Sequence, residues 1–128
     1  MRVLKTAVIK WTLWVAAGGS LGAVSRFLLS TLTLTAGRFP WATLVINIAG
    51  SFAIGLVWGL YNNQPWFEDW GRYFIVVGFL GAFTTFSAFS LETLGLMESG
   101  RMAGAASYVL ASLFGCVIAA WIGQRIAG

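Results

Sequence analysis

Arg26, Asn47 and Glu92 are the residues of this chain best placed to do chemistry, because each interrupts a run of apolar residues. Arg26 stands in GGSLGAVSRF and Asn47 in TLVINIAGSF, while Glu92 follows closely on the segment Gly78–Ser90, GFLGAFTTFSAFS. In hydrocarbon a polar side chain must find a partner or face a water-filled path, and an ionised one is costly enough to be a functional candidate by default. Arg26 either snorkels to a nearby interface or lines a vestibule that attracts anions. Glu92 either reaches the interface or caps a polar network. Asn47 is harder to assign to packing alone, since its central amide offers two donors and an acceptor. None of the three suggests catalysis. The chain has no His and four carboxylates, mostly at joints, so no nucleophile–base pair or hydrolytic metal site can be assembled and no enzyme is expected.

The segment Gly78–Ser90 packs four Phe, two Thr, two Ser and two Gly into thirteen residues. Its Gly residues and Thr pair weaken a helix, yet its surroundings are too hydrophobic for a loop. Irregular backbone at membrane depth is tolerated only when buried in protein or facing an aqueous cavity. Freed carbonyls at such a break can coordinate a cation, and exposed amides favour an anion. Phe79, Phe83 and Phe86 recur at helical spacing, and for Phe79 and Phe83 core packing is the simplest reading. A Phe ring also has a positive edge, so rings turned edge-on to a narrow path could stabilise a dehydrated anion by weak multiple contacts, which permit conduction where strong binding would stop it.

The elements that must hold these residues are membrane helices. Of 128 residues, 59% are hydrophobic and 9% charged, against about a quarter charged in soluble domains, and the mean hydropathy is +0.83. A bilayer core needs about 20 apolar residues per helix, and four such spans are expected, near Val8–Thr33, Trp41–Tyr61, Trp70–Met97 and Met102–Ile126. Turns are expected at Gly37 and Pro40, at NNQPWFEDW, and at ESGR. The fold class is thus an all-α membrane protein, one domain over 1–128, with the third span broken near its middle. The first span is expected to be retained, because Lys10 interrupts the apolar stretch that follows Arg2 and Lys5 and the hydrophobicity runs on beyond the short core of a signal peptide.

The net charge of +4 and pI near 9.9 read as helix-end anchors at an anionic membrane surface, not as nucleic-acid binding, because the basic residues form no cluster. With the N-terminus cytoplasmic, Arg2, Lys5, Lys10, Arg72 and Arg125 share one side against Arg38 and Arg101. That bias is mild, so insertion in both orientations stays open. Cys116 is the single cysteine, which excludes an intramolecular disulfide. Small residues recur every four positions from Ala103 to Gly123, and again at Gly18 and Gly22 and at Ser51, Gly55 and Gly59. Such spacing signals close helix packing, with some of these grooves left to serve an oligomer.

Over nearly its whole length the chain resembles the Fluc, or CrcB, fluoride channels of bacterial inner membranes. GGSLGAVSRF looks like that family's first-helix motif, WATLVINIAGSFAIG its second and GFLGAFTTFSAFSLET its third. The resemblance implies an antiparallel dual-topology homodimer with two fluoride pores and a structural sodium ion at the central interface. It implies passive export of fluoride that entered as the neutral acid and dissociated in the cytoplasm. By motif, Phe86 and Phe89 would be the ring-edge pore residues and Asn47 the amide that orients a ring or meets the anion. Gly81 and Thr84 would offer backbone carbonyls to sodium, and Arg26 would lie in the vestibule. In the fourth span SYVLASLFGC resembles the family's polar track, with Tyr108 and Ser112 in place and Cys116 where a serine would extend it. Ala42 stands where glycine is common.

Two other classes compete. A proton-coupled exporter of the small multidrug resistance kind also has four short spans, but it wants a central carboxylate in the first span, which here has no Asp or Glu. A membrane scaffold would explain the small-residue grooves but not Asn47 beside a Thr-rich break.

Overall fold

A computed structural model of the chain describes residues 2–33 and 39–128, with side chains for 4–31 and 39–128. The turn residue expected at Gly37, Arg38 of the charge count and the Arg2 side chain lie outside the described residues. Among the described residues there are four long apolar helices: Arg2–Thr33, Trp41–Tyr61, a third span Phe67–Glu98 and Met102–Ala127. The second runs as the sequence predicts. The first begins earlier than Val8, because helical backbone hydrogen bonding extends N-terminally beyond the apolar stretch, through the exposed Lys5.

The third span begins at Phe67, three residues before the expected Trp70, and is π-helical as far as Leu80. A π-helix, with i→i+5 bonds, is wider than an α-helix, so residues four apart stay closer to one line. Trp66, Trp70, Phe74 and Gly78 form such a row. Trp14 packs on Trp70 and Phe74 with ring centroids 5.3 and 6.1 Å apart. Below them Gly78 comes so close to the first span that an added methyl would stand 2.9 Å from the Val15 carbonyl oxygen and 3.0 Å from the Gly19 nitrogen.

Thr84 (φ −81°, ψ 157°) and Thr85 (φ −152°, ψ 119°) leave helical values, and helix resumes at Phe86. The interruption is two residues long, and the pieces on either side make up one span. That span ends in a Schellman turn: Gly100 N–H donates to Met97 O at 3.0 Å and Arg101 N–H to Leu96 O at 2.8 Å. Gly100 sits at φ 74°, a left-handed value that glycine adopts without penalty.

Two helix pairs dominate the packing, the first span on the third and the second on the fourth. Each is a close backbone approach over glycine. A methyl at Gly18 or Gly22 would collide with the carbonyls of Phe74 or Phe79, and one at Gly55 or Gly123 with those of Ala120 or Phe52. The small-residue row of the fourth span does not act as one groove, however. Ala103, Ser107 and Ala111 are exposed, whereas Gly123 is buried. A four-residue repeat overshoots the 3.6-residue turn by about 40° per step, so over five steps the row winds about 200° round the helix.

At the end that holds the N-terminus, the exposed Lys10 and Asp69 pair at 2.8 Å, and Trp11 Nε1 donates to Asp69 O at 3.1 Å. Arg72 lies 5.6 Å from the Trp58 ring and Arg125 5.6 Å from that of Trp121. Aromatics with cations at their faces suit a membrane–water boundary.

Candidate functional site

The interruption at Thr84–Thr85 is held by the second span. Asn47 Nδ2 donates to Thr85 O at 3.0 Å, and Thr85 N–H donates to Asn47 Oδ1 at 2.8 Å. The amide thereby pairs with the backbone as a strand would, satisfying two groups that hydrocarbon would leave unpaired. Thr85 Oγ1 then caps the next helix by accepting from Ala88 N–H at 3.1 Å, the ordinary N-cap contact of a threonine.

These bonds redirect the helical donors. In an unbroken α-helix Thr85 N–H would donate to Gly81 O and Ala88 N–H to Thr84 O. Here one goes to Asn47 and the other to Thr85 Oγ1, so both carbonyls are released from their α-helical partners. The neighbouring Ala82 carbonyl accepts from Arg26 Nε at 3.1 Å. Arg26 therefore ties the first span to the interruption.

Beside the interruption lies a groove of about 390 Å³, lined by Asn47, Thr84, Thr85, Phe86, Phe89, Ser112 and Cys116 among others. Phe86 is 79% exposed, and its ring centroid lies 5.2 Å from that of Phe89, with the planes tilted by 45°. Ser112 is 93% buried, with 7% of its surface accessible, yet its Oγ has no hydrogen-bond partner among the described residues. A buried hydroxyl without a partner costs about 1–3 kcal/mol, and such an orphan beside a cavity marks a place for a ligand.

Beyond Phe89 the fourth span contributes Tyr108, fully buried. Its ring packs between Phe89 and Phe39, with centroids 5.2 and 5.5 Å away. Its hydroxyl donates to Glu92 Oε2 at 2.6 Å, and Thr43 Oγ1 donates to Glu92 Oε1 at 2.7 Å. Glu92 thus caps a polar network, with one hydroxyl bound to each carboxylate oxygen.

Of the residues singled out by sequence, the groove gathers Asn47, Thr84, Phe86, Phe89, Ser112 and Cys116. Tyr108 adjoins it through Phe89, while Arg26 and Gly81 are not among its lining residues. Phe79 and Phe83 stack on each other at 5.8 Å, with planes 10° apart, as packing residues would. Sequence reasoning missed Thr43 and Thr85. The available signal for Thr85 was a threonine directly before a helical run. Nothing local marks Thr43, whose partner lies 49 residues away.

Residues 13–124 match the family model described as CrcB-like protein, Camphor Resistance (CrcB). The chain belongs to the CrcB family. Similar curated members are the "Fluoride-specific ion channel FluC" proteins of Magnetococcus marinus and Opitutus terrae. The first is 47% identical over 112 residues, spanning 86% of this chain and 91% of its own length. The second is 44% identical over 116 residues, spanning 88% of each. A protein of the same name from Shewanella amazonensis is 41% identical over 116 residues, spanning 89% of this chain and 93% of its own length. As a CrcB member with four apolar helices of 21 to 32 residues, this is a multi-pass membrane protein.

Proposed function

We propose that this CrcB chain is a fluoride-selective channel that lets fluoride leave the cell passively across the bacterial inner membrane. One observation carries the reading. The Phe86–Phe89 ring pair, the Asn47 side chain and the unpartnered Ser112 hydroxyl face one groove at the interruption of the third span. The rings supply weakly positive edges and Ser112 a free donor, with no full counter-charge in the groove to arrest the ion. The names of its relatives support the substrate.

The groove is open on the side where Phe86 is exposed. This supports a homodimer of antiparallel, dual-topology subunits in which a second copy completes each of two pores. At the dimer centre the broken third spans would meet, and the Gly81 and Thr84 carbonyls of each would hold a structural sodium ion. The donor set is suitable, since hard cations take oxygen ligands and these two carbonyls have lost their α-helical donors.

The exporter reading needs a carboxylate free to alternate between proton and cationic drug. Both oxygens of Glu92 are already engaged by Thr43 and Tyr108, which weighs against it. The deciding experiment is efflux from proteoliposomes under a potassium gradient with valinomycin. Rapid fluoride release with chloride retained is expected. Equal release of both anions, or proton-driven uptake of a lipophilic cation that is lost in Glu92→Gln, would overturn the proposal.

A further inference from the structure

Three residues of the first span, each one helical turn after the last, run along the third span. At Gly18 the two backbones approach so closely that an added methyl would collide with the Phe74 carbonyl, and at Gly22 with the Phe79 carbonyl. The next residue in the row is Arg26, and its Nε donates to the Ala82 carbonyl at 3.1 Å. The row thus changes from glycine to arginine where the third span stops being helical, since Thr84 and Thr85 are extended and helix restarts at Phe86.

The change has a local cause. In an unbroken α-helix the Ala82 carbonyl would accept from Phe86 N–H. Phe86 instead begins a new helix, and a carbonyl that loses its helical donor at membrane depth needs another. Arg26 supplies it. The interruption is therefore clamped on both sides, at Ala82 by Arg26 of the first span and at Thr85 by Asn47 of the second. Phe86 is the first residue beyond the clamps, and its exposed ring lines the groove with that of Phe89. The two clamps together set the direction in which the chain leaves the interruption, and with it where both rings stand.

We infer that Arg26 is a positioning residue for conduction, acting through its Nε–H bond to the Ala82 carbonyl and not as a charge that draws anions. Arg26 is not among the residues that line the groove, and the nitrogen it uses is the one nearest the backbone. The inference rests on the proposed conduction of fluoride and adds to it a residue that aims the ring pair.

Two substitutions separate the bond from the charge. Arg26→Gln places an amide nitrogen as many bonds from the backbone as Nε and keeps an N–H donor without the charge, whereas Arg26→Met keeps the length and loses both. Initial fluoride efflux is measured against fluoride concentration at about 10 mM and about 1 M ionic strength, where the Debye length is about 30 Å and about 3 Å. The maximal rate of Arg26→Met should fall roughly tenfold, as for loss of a hydrogen bond to a charged group. Its half-saturating fluoride concentration should not change, and the loss should be the same at both salts. Arg26→Gln should recover most of the rate. An unimpaired Arg26→Met, an Arg26→Gln as slow as Arg26→Met, or a defect confined to half-saturation that disappears at high salt overturns the inference, the last because it is the mark of an attracting charge.

A second measurement needs no conduction. Amide hydrogen exchange reports local opening, and in Arg26→Met it should quicken over residues 81–88 while the second and fourth spans keep wild-type protection. Arg26→Gln should restore the slow exchange. Exchange that quickens equally along all four spans, or nowhere, overturns the positioning role. Should the wild-type protein pass no fluoride while this local pattern holds, the proposed function fails and the clamp at Ala82 stands.

Discussion

Asn47 and Ser112 line the same groove and are used in opposite ways. Asn47 engages both ends of its amide with the Thr85 backbone, whereas the Ser112 hydroxyl engages nothing among the described residues. Asn47→Leu should therefore strand a half-buried donor and acceptor, at up to about 1–3 kcal/mol for each group. It should both lower the melting temperature in detergent and abolish fluoride efflux. Ser112→Ala removes a buried unsatisfied group, so stability should hold or rise, by up to about 1–3 kcal/mol, while efflux falls several-fold. A melting temperature that drops as far in Ser112→Ala as in Asn47→Leu would contradict this. Tyr108→Phe keeps the rings and frees Glu92 Oε2, and slower efflux from a well-folded protein is expected. Asn47 was legible in the sequence because a central amide in an apolar run is expensive wherever it points. Its partner was not legible, and neither was that of Arg26, because both bonds cross between helices far apart in the chain.

At the scale of the element, the third span shows what local chemistry can and cannot foretell. Gly and Thr in GFLGAFTTFSAFS argue against a regular helix, and the non-helical residues are Thr84 and Thr85. The π-helical winding from Phe67 to Leu80 had no local signature, because it accompanies the packing of Trp70 and Phe74 against Trp14, more than fifty residues away in the chain. The glycines separate in the same way. Gly55 faces the Ala120 carbonyl, and an added methyl would force the second and fourth spans apart, whereas a methyl at Gly95 would meet nothing within 4 Å. Gly55→Ala should thus destabilise by about 1–3 kcal/mol, in the range of other overpacked sites. Gly95→Ala should be neutral or stabilising by about 0.5–1 kcal/mol. Thermal melts of the two variants in one detergent would check both, and a stable Gly55→Ala protein would refute the packing account.

For the molecule as a whole, the open groove beside Phe86 and the mild charge bias lead to the same expectation of two oppositely inserted copies. On a Cys116→Ser background, Asn63→Cys in the exposed joint after the second span should be labelled to about half by an impermeant reagent applied to intact cells. The figure follows from equal insertion in both orientations, and all-or-none labelling would mean a fixed orientation. Single-molecule photobleaching should show two steps per particle, with the dimer fraction falling when sodium is replaced by N-methylglucamine. The Lys10–Asp69 pair is about half exposed at each side chain. Exchanging the two residues should change stability by about 0–1 kcal/mol, because water already screens both charges.

Composition and hydrophobic run length alone determined that this chain spans a membrane four times, where the second span begins and ends, and that Asn47 and Glu92 need partners, since hydrocarbon penalises every unpaired polar group. Tertiary structure decided which partners they take. It placed Thr85 against Asn47, Thr43 and Tyr108 against Glu92, and Arg26 against the Ala82 carbonyl, and it left Ser112 without any among the described residues. A one-dimensional pattern records what a residue requires. Which neighbour meets the requirement depends on how helices distant in sequence are rotated and set against one another.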